Sequence, residues 1–109
     1  MNSNEIKTLD KEKIVSTYSR YDMVADSGSG ARCVSKDGKE YIDFTAGIGV
    51  NSLGFCDAGW VKAVTDQLSK LQHVSNLFYS EPQVKAADML TERTGMSKVF
   101  FGNSGAEGN

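Results

Sequence analysis

The last twelve residues constrain the fold most, because they have the pattern of a strand, a tight loop and the start of a helix. Val99–Phe101 is a short β-branched and aromatic run that stops at Gly102, and small polar residues follow it. Such a corner directs unpaired backbone N–H groups and the positive end of a helix dipole at one point. The pattern predicts a seat for a phosphate or carboxylate at Ser104, Gly105 and Ala106.

The same residues support a purely structural alternative. Ser104 and Glu107 have the spacing of a capping box, in which the serine caps a helix and the glutamate bonds back to the cap. Many helices use this device without binding a ligand, so spacing does not decide between the two interpretations. The chain has neither a GxxxxGK nor a GxGxxG pattern, so the common nucleotide-binding loops are not indicated.

Composition sets limits on location and partners. The 109 residues are 39% apolar and 24% charged with a formal charge of −2, which is typical of one ordinary soluble domain. Neither nucleic acid nor a membrane is expected as a partner. The chain lacks an 18-residue apolar run, and its first residues lack the apolar stretch of a secretory signal. We therefore expect a cytoplasmic protein.

The thiols and the imidazole give no strong signal for a site. Cys33 and Cys56 have no CxxC spacing, so two reduced thiols are favoured over a disulfide or a metal site. His73 is the only histidine and follows a predicted helix, where a capping role is favoured over a catalytic one. No metal is predicted.

The first half of the chain predicts a helix and a hairpin. Residues 1–19 have scattered apolar positions suited to an amphipathic helix. Asp37-Gly38 between Ala31–Ser35 and Glu40–Phe44 is a strong hairpin signal, and Ser27–Gly30 is interpreted as a turn because a strand follows it. Thr45–Gly54 alternates glycines with large apolar residues, which indicates backbone close to another surface, through packing or as the lining of a pocket.

The second half predicts two helices and a further strand. Asp57 is a candidate N-cap for a helix over about 58–72, and Ser80-Glu81-Pro82 begins a second helix that stops at Gly95. Val74–Tyr79 is aromatic enough to be buried, within the fold or against a partner subunit. The fold class is therefore α/β. A single strand-helix unit at the C-terminus cannot bury its own faces, so we expect a piece of a longer fold.

Two stretches resemble class III, pyridoxal-phosphate-dependent aminotransferases. Phe100–Asn109 is similar to the FF-x-NSGAEAN signature, with Gly108 in place of an alanine, and Tyr41–Gly54 is similar to Y-x-DF-x-x-GI-x-V-x-x-LG. The likeness covers the chain from about Tyr18. Ser75–Tyr79 favours the branch that acts on N2-acetylornithine, although ornithine, succinylornithine and 4-aminobutyrate enzymes share the same frame.

The resemblance implies the N-terminal part of a fold type I transferase. In that fold, residues 1–20 are an N-terminal segment, and 21–56 are the small-domain hairpin and glycine-rich stretch. Residues 57–96 are two helices, and 97–109 begin the large parallel-sheet domain that binds pyridoxal 5′-phosphate.

The resemblance also implies roles for individual residues. Ser104, Gly105 and Ala106 match positions that hold the cofactor's phosphate. Tyr18 and Ile48 match positions beside the substrate side chain, with packing as an equal alternative. The segment around Asn76 and Leu77 resembles one that reaches the partner's active site in a homodimer.

The implied reaction transfers the amino group of N2-acetylornithine, ornithine or a related donor to 2-oxoglutarate, in arginine biosynthesis. No lysine of this chain matches the cofactor-linking lysine, and the aspartate that pairs with the pyridinium nitrogen is also expected elsewhere. We therefore expect no catalytic residue here, and no activity from the chain alone. Two alternatives stay open: a stand-alone anion-binding or regulatory module, and a truncation product without function.

Overall fold

The computed structural model describes residues 1–109 and divides them into two units, Met1–Leu68 and Ser69–Asn109. The elements in chain order are the helix α1 (Ser3–Lys13), the strands β1 (Ala25–Ser29), β2 (Arg32–Ser35) and β3 (Glu40–Ile42), the helices α2 (Ala58–Lys70) and α3 (Glu81–Thr94), and a 3-10 helix (Gly105–Gly108). A short helical segment at Ala46–Gly49 has left-handed backbone and belongs to the site described below.

Helix α1 confirms the predicted N-terminal helix, and a capping box begins it. Glu5 N donates to Asn2 Oδ1 and Asn2 N donates to Glu5 Oε2, both at 2.9 Å, so each residue satisfies the other's free amide. Ser3 Oγ donates to Asp37 Oδ1 at 2.6 Å. That bond ties the start of α1 to the hairpin turn.

The three strands form an antiparallel sheet in the order β1-β2-β3. The hairpin predicted at Asp37-Gly38 is confirmed, with Gly38 at φ 82° between β2 and β3. The turn interpretation of Ser27–Gly30 is wrong for its first three residues, because Ser27, Gly28 and Ser29 pair with β2. The turn is confined to Gly30 and Ala31, since a neighbouring strand supplies the hydrogen-bond partners that the local sequence could not reveal.

The glycine-rich stretch confirms the predicted close approach of backbone to another surface. A Cβ on Gly54 would lie 2.9 Å from backbone atoms of Gly30, and Gly54 also has φ 81°. Gly30 and Phe55 exchange two backbone hydrogen bonds of 2.9 and 2.8 Å. A side chain on Gly54 would therefore separate the loop from the first hairpin.

Both predicted helices form close to their expected limits. Asp57 Oδ1 accepts from Trp60 N at 2.8 Å and so caps α2, which ends at Lys70 rather than about 72. Helix α3 ends at Gly95, whose φ is 72° and whose N–H donates to Thr91 O at 2.9 Å.

Two expectations from the second half do not hold in this chain. Val99–Phe101 forms no strand, because no neighbouring strand is present to complete a ladder. Leu77, Phe78 and Tyr79 are exposed, so burial within the fold is wrong for them. The expectation that a partner subunit covers this segment stays a prediction.

The chain has no hydrophobic core of its own. Ser3 and Ser35 are its only buried residues, and every large apolar side chain retains access to solvent. None of the helices combines the length and the apolar character that crossing a membrane would require.

Candidate functional site

In the C-terminal corner, the carboxylate of Glu107 bonds back to the backbone of Asn103. Glu107 Oε2 accepts from Asn103 N at 2.6 Å, and Glu107 N donates to Ser104 O at 3.1 Å. The second bond closes the first turn of the 3-10 helix Gly105–Gly108. A Cβ on Gly102 would lie 3.0 Å from Glu107 Oε2, so the absence of a side chain there makes room for the carboxylate.

The capping box considered as the structural alternative does not form at Ser104. Its side chain makes no capping hydrogen bond, and Glu107 reaches the N–H of Asn103 instead of that of Ser104. Four donors at this corner have no protein acceptor. They are the Ser104 hydroxyl and the N–H groups of Ser104, Gly105 and Ala106. Nothing lies within 4 Å of the position that a Gly105 Cβ would occupy. The corner therefore offers free donors and open space to an oxyanion.

The predicted substrate residue Ile48 stands in a left-handed turn of the first unit. Ala46, Gly47, Ile48 and Gly49 all have positive φ, between 46° and 80°. The turn is closed by Ile48 N and Gly49 N donating to Thr45 O at 2.8 and 3.2 Å. Left-handed backbone costs a residue with a Cβ about 1–2 kcal/mol, and such strain clusters at functional sites. The turn presents the Ile48 side chain to solvent, 95% exposed.

Asp43 holds the start of this left-handed turn. Its Oδ1 accepts from Thr45 N at 2.8 Å, from Thr45 Oγ1 at 2.7 Å and from Ala46 N at 3.1 Å. The hydrogen bond from the Thr45 hydroxyl, followed by that from its N–H, lowers the pKa of Asp43 from its ordinary value of 3.8. The ionised carboxylate thus stabilises the residues that lead into the strained segment.

A cavity of about 330 Å³ lies directly after the left-handed turn. Val50–Asp57 and Trp60 line it, which agrees with the predicted alternative that the glycine-rich stretch lines a pocket. Cys56, one of these residues, has φ 55° and an exposed free thiol.

The remaining predicted site residues are exposed and make few contacts. Tyr18 is 79% exposed and belongs to the first unit, as Ile48 does. Leu77 is 87% exposed in a turn where Phe78 N donates to Ser75 O at 3.1 Å and Leu77 N donates to Ser75 Oγ at 3.3 Å. Ser104, Gly105 and Ala106 belong to the second unit and are brought together by being consecutive.

Sequence reasoning missed Asp43 and Asn103. The Asp-x-Thr spacing of Asp43 and Thr45 is a recognisable signal, since an aspartate often bonds to backbone two residues ahead. The Glu107–Asn103 bond has no such signal, because a capping box one residue later explains the same spacing equally well.

Comparison with known proteins gives concordant matches in sequence and in structure. A family model described as Aminotransferase class-III matches residues 15–109. The acetylornithine aminotransferase of Haemophilus ducreyi (strain 35000HP / ATCC 700724) is 50% identical over 109 residues, which are 100% of this chain and 28% of that protein. The crystal structure of acetylornithine aminotransferase from Elizabethkingia anophelis has a TM-score of 0.92 at 30% identity, covering 98% of this chain and 28% of that one.

An ornithine aminotransferase from Toxoplasma gondii also matches, with a TM-score of 0.90 at 27% identity over 97% of this chain and 25% of the other. That structure is described as having partial occupancy of PLP at its active site. The chain thus spans about a quarter of the length of these relatives.

Proposed function

This chain belongs to the class III aminotransferases, a pyridoxal-phosphate-dependent family, and on that premise we propose that Ser104, Gly105 and Ala106 hold the cofactor's phosphate. The observation that carries the proposal is the set of donors at the corner that have no protein acceptor. Hydrogen bonds to an ionised oxygen are about twice as strong as neutral ones, so a phosphate would gain more from these donors than water does. Gly105 leaves the approach open.

Bound pyridoxal phosphate supplies an electron sink and accepts the amino group during transfer. The chain's own contribution is to bind and to orient. The corner fixes the phosphate end. From the family resemblance alone, we propose that Tyr18 and Ile48 are positions beside the side chain of the amino donor, with packing as the alternative role. None of the chain's lysines matches the cofactor-linking position, so the remainder of the family's domain provides that lysine and the aspartate that pairs with the pyridinium nitrogen. On this proposal the 109 residues are inactive alone.

The substrate proposal is transfer of an amino group from N2-acetylornithine to 2-oxoglutarate, in arginine biosynthesis. Its support is that relatives at 41–56% identity are acetylornithine aminotransferases. We further propose a homodimer in which Asn76 and Leu77 reach the partner's site, because their segment is exposed here. A cytoplasmic location agrees with two free thiols, at Cys33 and Cys56.

The test is a chimera in which this chain replaces the aligned 109 residues of the Haemophilus ducreyi protein. Cofactor content is measured by absorbance, and amino transfer from N2-acetylornithine to 2-oxoglutarate is measured in parallel. The substitution Gly105→Val places a branched side chain in the open space and is expected to weaken cofactor binding by at least about tenfold. Ser104→Ala removes one hydroxyl donor to an ionised phosphate and is expected to weaken cofactor binding by about tenfold or more.

Gly108→Ala is the matched control, since it changes a glycine in the same 3-10 helix three residues further on. It adds a side chain where nothing lies within 4 Å and should leave cofactor binding unchanged. A folded chimera that retains full cofactor affinity with Gly105→Val would rule out this corner as the phosphate seat.

A further inference from the structure

The stretch that carries Tyr18, between α1 and β1, is exposed to solvent. Tyr18 is 79% exposed, makes no hydrogen bond, and is followed by exposed residues as far as Asp22. Two backbone hydrogen bonds lie within the stretch, each of 2.8 Å, from Thr17 N to Val15 O and from Met23 N to Tyr21 O. Bonds between residues two positions apart bend the chain without attaching it to another element. The position of Tyr18 therefore depends on contacts that its neighbours make.

Two ion pairs connect this stretch to α1. Lys7 Nζ lies 2.5 Å from Asp22 Oδ1, and Arg20 Nη1 lies 3.2 Å from Asp10 Oδ2. Lys7 and Asp10 are three positions apart, so they lie on one face of the helix. All four residues line a cavity of about 450 Å³, which means that the pairs cross a gap between the helix and the stretch. These pairs are thus the contacts that hold the middle of the stretch.

Helix α1 is a suitable support because its first residue is attached to the hairpin. Ser3 is 6% exposed, and its Oγ donates to Asp37 Oδ1 in the hairpin turn at 2.6 Å. Lys7 and Asp10 follow Ser3 within two turns of the same helix, so the attachment at Ser3 also fixes their positions. A fixed helix allows these two charged side chains to determine where the chain opposite them lies.

We propose that the four charged residues of these pairs are positioning residues that hold Tyr18 in place. Arg20 and Asp22 follow Tyr18 by two and four positions, so a broken pair lets Tyr18 populate other positions. The inference rests on the role proposed for Tyr18 beside the side chain of the amino donor. The apparent affinity for the donor then falls in proportion to the fraction of molecules in which Tyr18 is correctly placed.

The experiment uses the chimera described above with Asp10→Asn, which breaks the pair with Arg20 and leaves the sequence around Tyr18 unaltered. KM and kcat are measured for N2-acetylornithine at saturating 2-oxoglutarate, and the rate of chymotrypsin cleavage after Tyr18 is measured by mass spectrometry. Asp10→Asn is expected to raise both KM and the cleavage rate about two- to fivefold, the range for a partly exposed ion pair. It should leave kcat unchanged, because the loss is one of binding.

Arg20→Gln breaks the same pair from the other side. It should raise KM by the same factor, and the double variant with Asp10→Asn should raise KM no further, because both changes remove one contact. Glu12→Gln is the matched control, since it also turns a carboxylate on α1 into an amide, but Glu12 is exposed and forms no ion pair. It should leave KM and the cleavage rate unchanged.

The two measurements separate this proposal from the proposed function. Equal cleavage rates in Asp10→Asn and Glu12→Gln overturn the positioning of Tyr18, as do increases in KM that multiply in the double variant. Faster cleavage in Asp10→Asn with an unchanged KM supports the positioning and contradicts only the role of Tyr18 beside the amino donor.

Discussion

Asp43 is the residue whose carboxylate holds the start of the left-handed turn. Its carboxylate accepts three hydrogen bonds from Thr45 and Ala46. The bond from the Thr45 hydroxyl contributes most to lowering the pKa of Asp43 below its ordinary value of 3.8. Because the folded pKa is the lower one, the stabilisation is fully present above the unfolded value and is lost as pH falls through the folded pKa. We expect the Thr45 and Ala46 amide resonances of the labelled chain to titrate together below pH 3.8 in NMR spectra.

Thr45→Val separates the hydroxyl from the backbone contribution. It removes the donor at 2.7 Å and keeps the N–H at 2.8 Å, so the pKa of Asp43 should rise toward its ordinary value while the turn persists at neutral pH. Asp43→Asn should abolish the titration. Amide resonances that still move below pH 3.8 in Asp43→Asn would show that another group holds the turn.

For single residues, the sequence predicts which groups can donate hydrogen bonds better than it predicts backbone dihedral angles. Ser104, Gly105 and Ala106 were placed at a corner from residue type, and the structure gives them free donors. The left-handed backbone of Ala46 and Ile48 has no local signal, because residues with a Cβ avoid positive φ unless surrounding structure imposes it.

Among the elements, the contact between the glycine-rich stretch and the first hairpin depends on Gly54. A Cβ there meets Gly30 backbone atoms at 2.9 Å, and φ is 81°. Gly54→Ala is therefore expected to destabilise the chimera by about 3 kcal/mol or more, from a left-handed penalty of about 1–2 kcal/mol together with displacement of backbone. Urea unfolding of the chimera measures the effect.

Gly38→Ala isolates the conformational part of that loss. Gly38 has a similar φ of 82°, but nothing lies within 4 Å of its Cβ position. We expect only the left-handed penalty of about 1–2 kcal/mol. Equal losses for Gly38→Ala and Gly54→Ala would mean that the close approach contributes nothing to stability.

Local sequence signals predict helices well, because a helix forms its backbone hydrogen bonds within its own segment. Helices α2 and α3 were placed within about two residues from Asp57, Pro82 and Gly95, since capping and periodicity act within a few residues. Local signals also predict a strand at Val99–Phe101, which pairs with no other strand in this chain. A strand depends on a neighbour that local sequence does not specify.

For the whole molecule, the absence of a hydrophobic core lowers the area that folding removes from water. An unfolded chain of 11.8 kDa exposes about 17,100 Å², so folding to 9787 Å² removes about 7,300 Å² from water. Two compact bodies with the lengths of the two units would remove about 10,000 Å². The hydrophobic driving force is proportional to the apolar area removed from water, so the isolated chain gains less from burial than two compact bodies would.

The measurable result is a shallow unfolding transition for the isolated chain. Because the denaturant slope is proportional to the area exposed on unfolding, the urea m-value should be about seven tenths of that of two compact bodies of these lengths. A dye that binds exposed apolar surface should fluoresce with the isolated chain, because its large apolar side chains are exposed. A steep transition without dye binding would mean that the 109 residues bury a core of their own.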